Sequence, residues 1–291
     1  MFSRVIVATD LSPASYAVVN CVGGLKAYGA KECLLLQCLS LQEVGSVALS
    51  YTTAFLENSL NEQKEVLEKQ GFAVETRIVP RLATREINRV AEKEDYSLIV
   101  IGSQGHSMVR EALLGGVASA VLNQARKPVL VIRVEPVPGD ANGCLRAARC
   151  DFSGHILYPT DFSENADLAF TYVEKLAAEG ARHVTLLHVQ DKTRIESYLK
   201  HRLEEFNEID RGRLGKMRET LEKKGNAEVD VELKYGIPFV EISQFIKEHD
   251  VNLVVMGTQG RGFVAELFLG SVSHNIARHS EAAVLLIPNK S

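Results

Sequence analysis

Apolar residues along this chain gather into short continuous runs, separated by longer stretches with helical spacing. Val5 to Thr9 is an apolar run of strand length, as expected of a strand covered on both faces. Ser12-Pro13 follows, an N-cap and the residue favoured at the first helical position. That pairing predicts a helix running to about Gly29, which reads as its C-cap. Leu34 to Cys38 predicts a second strand, Tyr51 to Gln70 a helix closed by Gly71, and Val74 to Val79 a third strand. Thr84 to Lys93 predicts a helix, Leu98 to Ile101 a strand, Val117 to Ala125 a helix and Val129 to Val134 a fifth strand.

The same order then recurs. Ala83 to Asp95 aligns without a gap on Pro238 to Asp250, Leu98 to Gly105 on Leu253 to Gly260, and Leu114-Gly115 on Leu269-Gly270. Near the start, Val5 to Asp10 lies on Ile156 to Asp161. The second copy has a longer second helical region, in which Ile195, Leu199, Leu203, Phe206 and Ile209 form an apolar stripe that Gly212 and Gly215 should weaken or kink. Glu135 to Gly154 is punctuated by Pro and Gly, keeps no apolar period and reads as a linker. Strict alternation predicts an α/β fold: two tandem, doubly wound, parallel five-stranded sheets with helices on both faces. In such folds ligands bind beyond the carboxyl ends of the strands, where strand order reverses.

The candidate chemistry falls at that place. Gly257-Thr-Gln-Gly260-Arg261-Gly262 follows the fourth strand of copy two, and Gly270-Ser271-Val272-Ser273 opens the next helix. Glycines let backbone N–H groups approach an anion, and a helix start adds unpaired donors and the positive dipole end. Ser271 and Ser273 can add hydroxyl donors and Arg261 a charge, while Thr160-Asp161 ends the first strand where a carboxylate could accept from a sugar or base. No GxxxxGK[ST] or HExxH occurs, and Gly260-Arg-Gly262 sits in the wrong place for a dinucleotide fingerprint. His188, at the end of the second strand of copy two, reads as a satisfied strand-end histidine rather than a general base.

Each copy resembles a universal stress protein domain, with boundaries 1–134 and 155–291 around a 135–154 linker. The ATP-binding members of that family carry G-x2-G-x9-G-[S/T], which Gly257, Gly260, Gly270 and Ser271 match in full. The resemblance implies that Pro159, Thr160 and Asp161 hold adenine and ribose, and that Val189 and Met256 line the base pocket. It implies that Gly257, Gly260, Gly270, Ser271, Val272 and Ser273 wrap the phosphates of ATP, ADP or AMP, with Mg²⁺ accompanying a triphosphate. The corresponding positions of copy one are Thr9, Asp10, Gly102, Gly105, Gly115, Gly116 and Val117. Here Gly116 stands in place of Ser271, Ala118 of Ser273, His106 of Arg261 and Ala8 of Pro159, so copy one is expected to bind nucleotide more weakly or not at all. Fifth strands of the family pair, so Val129 to Arg133 and Val284 to Pro288 are expected to make a pseudo-dimer within the chain, with a homodimer of chains a further option.

Composition narrows the function classes. The 291 residues are 46% hydrophobic and 24% charged, with a net charge of −4, which gives no electrostatic case for nucleic acid or an anionic membrane. No long apolar run or leader pattern is present, and five cysteines without framework spacing fit a reducing cytoplasm, with Cys144 and Cys150 as solvated linker thiols. The expected function is a cytoplasmic stress-response or regulatory nucleotide sensor acting on an unidentified protein partner. A slow ATPase and a nucleotide-free scaffold are the alternatives.

Overall fold

The computed structural model describes residues 1–39, 51–105, 114–137, 144–195, 200–260 and 269–289. They fall into two units, Met1–Cys150 and Asp151–Asn289. In the first unit the elements are β1 (Arg4–Thr9), α1 (Pro13–Cys21), β2 (Glu32–Cys38), α2 (Tyr51–Lys69), β3 (Ala73–Val79), α3 (Ala83–Lys93), β4 (Leu98–Gly102), α4 (Gly116–Gln124) and β5 (Val129–Ile132). Ser12 caps α1, its hydroxyl oxygen accepting a hydrogen bond from the Ser15 backbone N–H. The helix ends earlier than the sequence predicts: Gly23 and Gly24 weaken it, and the chain continues as a 3₁₀ turn over Val22–Tyr28 before Gly29 closes it at φ 79°. The strands lie in the order β3-β2-β1-β4-β5, all parallel. Val5, Ile6 and Val7 of β1 have no exposed surface, as the continuous apolar run requires.

The stretch that reads as a linker contributes structure to the first unit. β6 (Val134–Pro136) and β7 (Leu145–Ala147) pair as an antiparallel ribbon. The ribbon is too short for its sequence to carry a strand period. Beyond it Cys150 is bonded to Cys21 at the end of α1, with 4.9 Å between their Cα atoms. Cys150 is therefore not a solvated linker thiol; the expectation failed because the partner lies 129 residues away and no spacing rule connects the two. Burial pushes the Cys33 thiol up to about 12, and burial with the Glu86 carboxylate does the same for Cys38. Cys144 is exposed. Alkylation of the native protein at pH 8 should therefore label Cys144, leave Cys33 and Cys38 intact, and reach Cys21 and Cys150 only after reduction. Peptide mapping checks this, and early labelling of Cys150 without reductant would contradict the bond.

The second unit repeats the plan with β8 (His155–Thr160), α5 (Glu164–Ala178), β9 (His183–Asp191), α6 (Lys192–Ile195), α7 (Leu203–Glu222), β10 (Glu228–Gly236), α8 (Pro238–Glu248), β11 (Leu253–Gly257), α9 (Ser271–His279) and β12 (Ala283–Ile287). Its parallel order is β10-β9-β8-β11-β12. The repeat extends to backbone detail: Leu11 and Phe162 are both left-handed, as are Asp95 and Asp250. α7 passes through Gly212 and Gly215 without a break. Packing of Leu214 and Leu221, both fully buried, outweighs a propensity penalty of about 1 kcal/mol per glycine. In each unit strand order reverses beside the first strand, between β1 and β4 and between β8 and β11. A crevice is expected at the carboxyl ends of those pairs.

Candidate functional site

β8 ends in Thr160, Asp161 follows, and the chain then turns through Phe162 at φ 56°. A non-glycine residue in that conformation needs local support. Phe162 N donates to Thr160 Oγ1 at 3.0 Å and Ser163 N donates to Asp161 Oδ1 at 3.1 Å. Ser163 Oγ in turn accepts from Ala166 N and caps α5. The Thr-Asp pair is thus fixed at the strand end by its own turn. The first unit builds the same turn: Leu11 N donates to Thr9 Oγ1 and Ser12 N to Asp10 Oδ1.

Across the crevice, β11 ends in Gly257. A Cβ there would lie 2.6 Å from Asn165 Oδ1, and one on Gly260 would lie 2.6 Å from Asp161 Oδ2. Gly257 thus lets the backbone approach Asn165 closely, and Gly260 leaves room for the Asp161 carboxylate. Asn165, 4% exposed, joins the two edges: its Nδ2 donates to Ile287 O, and its Oδ1 accepts from Gln259 N at 2.9 Å. Gly270 N donates to Thr258 O at 2.7 Å, which brings the start of α9 back over the Gly257–Gly260 turn. Gly270 is the N-cap of α9, and among the described residues no side chain caps the first turn. Ser273 Oγ donates to Gly257 O at 2.8 Å, so its proton ties α9 to β11 instead of standing ready for an anion.

These edges bound a cavity of about 610 Å³. Pro159, Thr160, Asp161, Val189, Met256, Gly257, Gly260, Gly270, Ser271, Val272 and Ser273 all line it. Arg261 lies outside the described residues. Sequence reasoning missed the side of the cavity built by β9 and α7. Gln190, Phe206, Ile209, Asp210 and Arg213 line it too. Of the predicted stripe, Ile195, Phe206 and Ile209 line the cavity and Leu199 lies outside the described residues; Ile209 is 46% exposed, while Asp210, one residue on, is buried. His188 Nδ1 donates to Thr160 O at 2.7 Å, and its Nε2 stands 3.5 Å from Asp210 Oδ2. The histidine is held between strand end and helix, as its strand-end position predicts.

The first unit differs at the matching places. Gly102 ends β4, a Cβ on Gly105 would meet Asp10 Oδ2, and Gly115 caps α4, so the three glycines keep the places of Gly257, Gly260 and Gly270. Gly116 brings no hydroxyl, and Val117 is 46% exposed. Gln63 from α2 is fully buried against Thr9, whose Oγ1 donates to Gln63 Oε1 at 2.8 Å. Asp10 Oδ1 accepts from Ser12 N and Ser12 Oγ and also from Ser15 Oγ, where the second unit has Ala166.

The family model described as "Universal stress protein family" matches residues 1–133 and 153–288. The chain belongs to that family. Universal stress protein MJ0577 of Methanocaldococcus jannaschii is 32% identical over 155 residues, which cover 47% of this chain and 95% of that protein. Universal stress protein YxiE of Bacillus subtilis is 30% identical over 143 residues, covering 45% and 97%. The crystal structure of a universal stress protein from Archaeoglobus fulgidus covers 99% of this chain and 97% of its own at 23% identity, with a TM-score of 0.69. That likeness runs the length of both universal stress protein units and concerns the fold. Among the described residues no helix is long and apolar enough to cross a membrane.

Proposed function

We propose that the second universal stress protein unit binds an adenine nucleotide, ATP or else ADP or AMP, and serves as the sensor through which this chain acts in a stress or regulatory response. The observation that carries this reading is the convergence on one cavity of the Thr160-Asp161 strand end, the Gly257–Gly260 turn and the uncapped start of α9. Its volume of about 610 Å³ lies within the usual range for small-molecule sites, roughly 300–1,000 Å³. First-turn amides without a side-chain cap, beside a glycine turn, suit a phosphate chain. Val189 and Met256 supply apolar walls for a base. Mg²⁺ would arrive with a triphosphate and be held chiefly by it, and Arg261 would add charge on the phosphates. The first unit is weaker or empty in this reading, with Gln63 on Thr9 and Gly116 and Ala118 in place of the serines. Bound nucleotide would alter a surface read by a protein partner. A cytoplasmic setting belongs to the same reading.

Equilibrium titration of ATP into the full chain and into Ser271→Ala tests it. Loss of one hydroxyl donor should weaken binding about three- to tenfold. Equal affinity in the two proteins would remove Ser271 from the site.

A further inference from the structure

We propose that Gln190 and Asp210 form an acceptor pole in the cavity that selects ligands carrying a hydrogen-bond donor at the nucleoside end. The inference rests on the nucleotide reading above and adds to it a determinant of specificity. Side chains alternate along β9, so His188 and Gln190 share one sheet face. Asp210 of α7 meets both of them: Gln190 Nε2 donates to Asp210 Oδ2 at 3.1 Å, and His188 Nε2 lies 3.5 Å from the same oxygen. Arg213, one turn on along α7, approaches Asp210 Oδ1 at 3.5 Å and stacks over the Phe162 ring at 5.1 Å.

The bond to Asp210 fixes which way the Gln190 amide points, because the reversed amide would set a carbonyl against a carboxylate. Gln190 Oε1 is thereby turned away from Asp210. It is buried, on a side chain 3% exposed, and has no hydrogen-bond partner among the described residues, yet Gln190 lines the cavity. A buried acceptor without a partner is uncommon in folded proteins and calls for a donor. The fold itself does not need this polar group: at the matching positions, by strand register and by the Leu67/Leu221 helix alignment, the first unit has Leu39 and Leu56. The missing donor is an N–H or O–H of the ligand. The Asp210 carboxylate beside Gln190 disfavours phosphate at this place, so the donor belongs to the nucleoside end, either the exocyclic amine of adenine or a ribose hydroxyl.

The test is titration of the full-length wild type and Gln190→Met with ATP, inosine triphosphate, 2′-deoxy-ATP and 3′-deoxy-ATP. The wild type should lose about tenfold in affinity on replacing the donor that meets Oε1. Loss with inosine triphosphate identifies the amine, and loss with a deoxy analogue the hydroxyl. Gln190→Met should bind ATP about tenfold more weakly and no longer discriminate against that same analogue. A folded Gln190→Met that keeps wild-type affinity and preference overturns the proposal. Should that variant fail to fold, Asp210→Asn serves. It releases the orientation of the Gln190 amide, so the preference should shrink there too, and an undiminished preference overturns the proposal. Binding of no nucleotide by the wild type overturns both this inference and the reading beneath it, whereas equal ATP binding by both proteins overturns this one alone.

Discussion

Replacing Asn165 by leucine should lower the stability of the second unit by about 3 kcal/mol and its melting temperature by roughly 10 °C. Asn165 sits in the first turn of α5, where a polar residue ordinarily faces water, but it is 4% exposed. Its amide satisfies the carbonyl of Ile287 at the end of β12, the amide of Gln259 and, at 3.4 Å, the hydroxyl of Thr258. Leucine fills a similar volume and leaves those groups buried without partners. Each unpaired group costs about 1–3 kcal/mol where no water reaches it. Differential scanning calorimetry should show the second unit melting early, with phosphate-loop function lost alongside. A melting temperature within a degree of wild type would show that water or a rearranged turn replaces the amide.

Asp161→Ala should reduce ATP affinity by about tenfold to a hundredfold, while Asp10→Ala should leave it unchanged. A hydrogen bond from a neutral ligand group to a carboxylate contributes about 1.5–3 kcal/mol. Asp161 lines the cavity and faces Gly260, where there is no Cβ to separate them. Asp10 has the same place in its own turn, but its Oδ1 accepts from Ser12 N, Ser12 Oγ and Ser15 Oγ. Its removal should therefore appear as lost stability of the first unit, about 2 kcal/mol, instead of lost binding. Isothermal calorimetry and thermal melting of the two variants separate these effects. Loss of ATP binding in Asp10→Ala with Asp161→Ala unaffected would move the site to the first unit.

Much of the fold was legible because parallel strands buried on both faces leave unbroken apolar runs, and because the chain says everything twice. The glycine positions of the proposed phosphate loop were legible for a related reason: close backbone approach favours Gly, as the 2.6 Å contact that a Cβ on Gly257 would make with Asn165 shows. The opposite side of the cavity was not legible. Asp210 and Gln190 are 20 residues apart on different elements, and only the packing of α7 on β9 joins them. A charged residue between Ile209 and Arg211 reads as solvated until that packing is known. Asn165 was missed because a first-turn asparagine resembles an ordinary exposed helix start. The Cys21–Cys150 bond was missed because sequence separation carries no information about distance. Ser273 lines the cavity, and what its sequence did not reveal is that its hydroxyl donates to Gly257 O.

The measurement that bears most directly on the account is the stoichiometry of ATP binding to the full 291-residue chain by isothermal titration calorimetry with Mg²⁺ present. The predicted result is one nucleotide per chain. Two per chain would contradict the division of labour between the units, and none would contradict nucleotide binding itself.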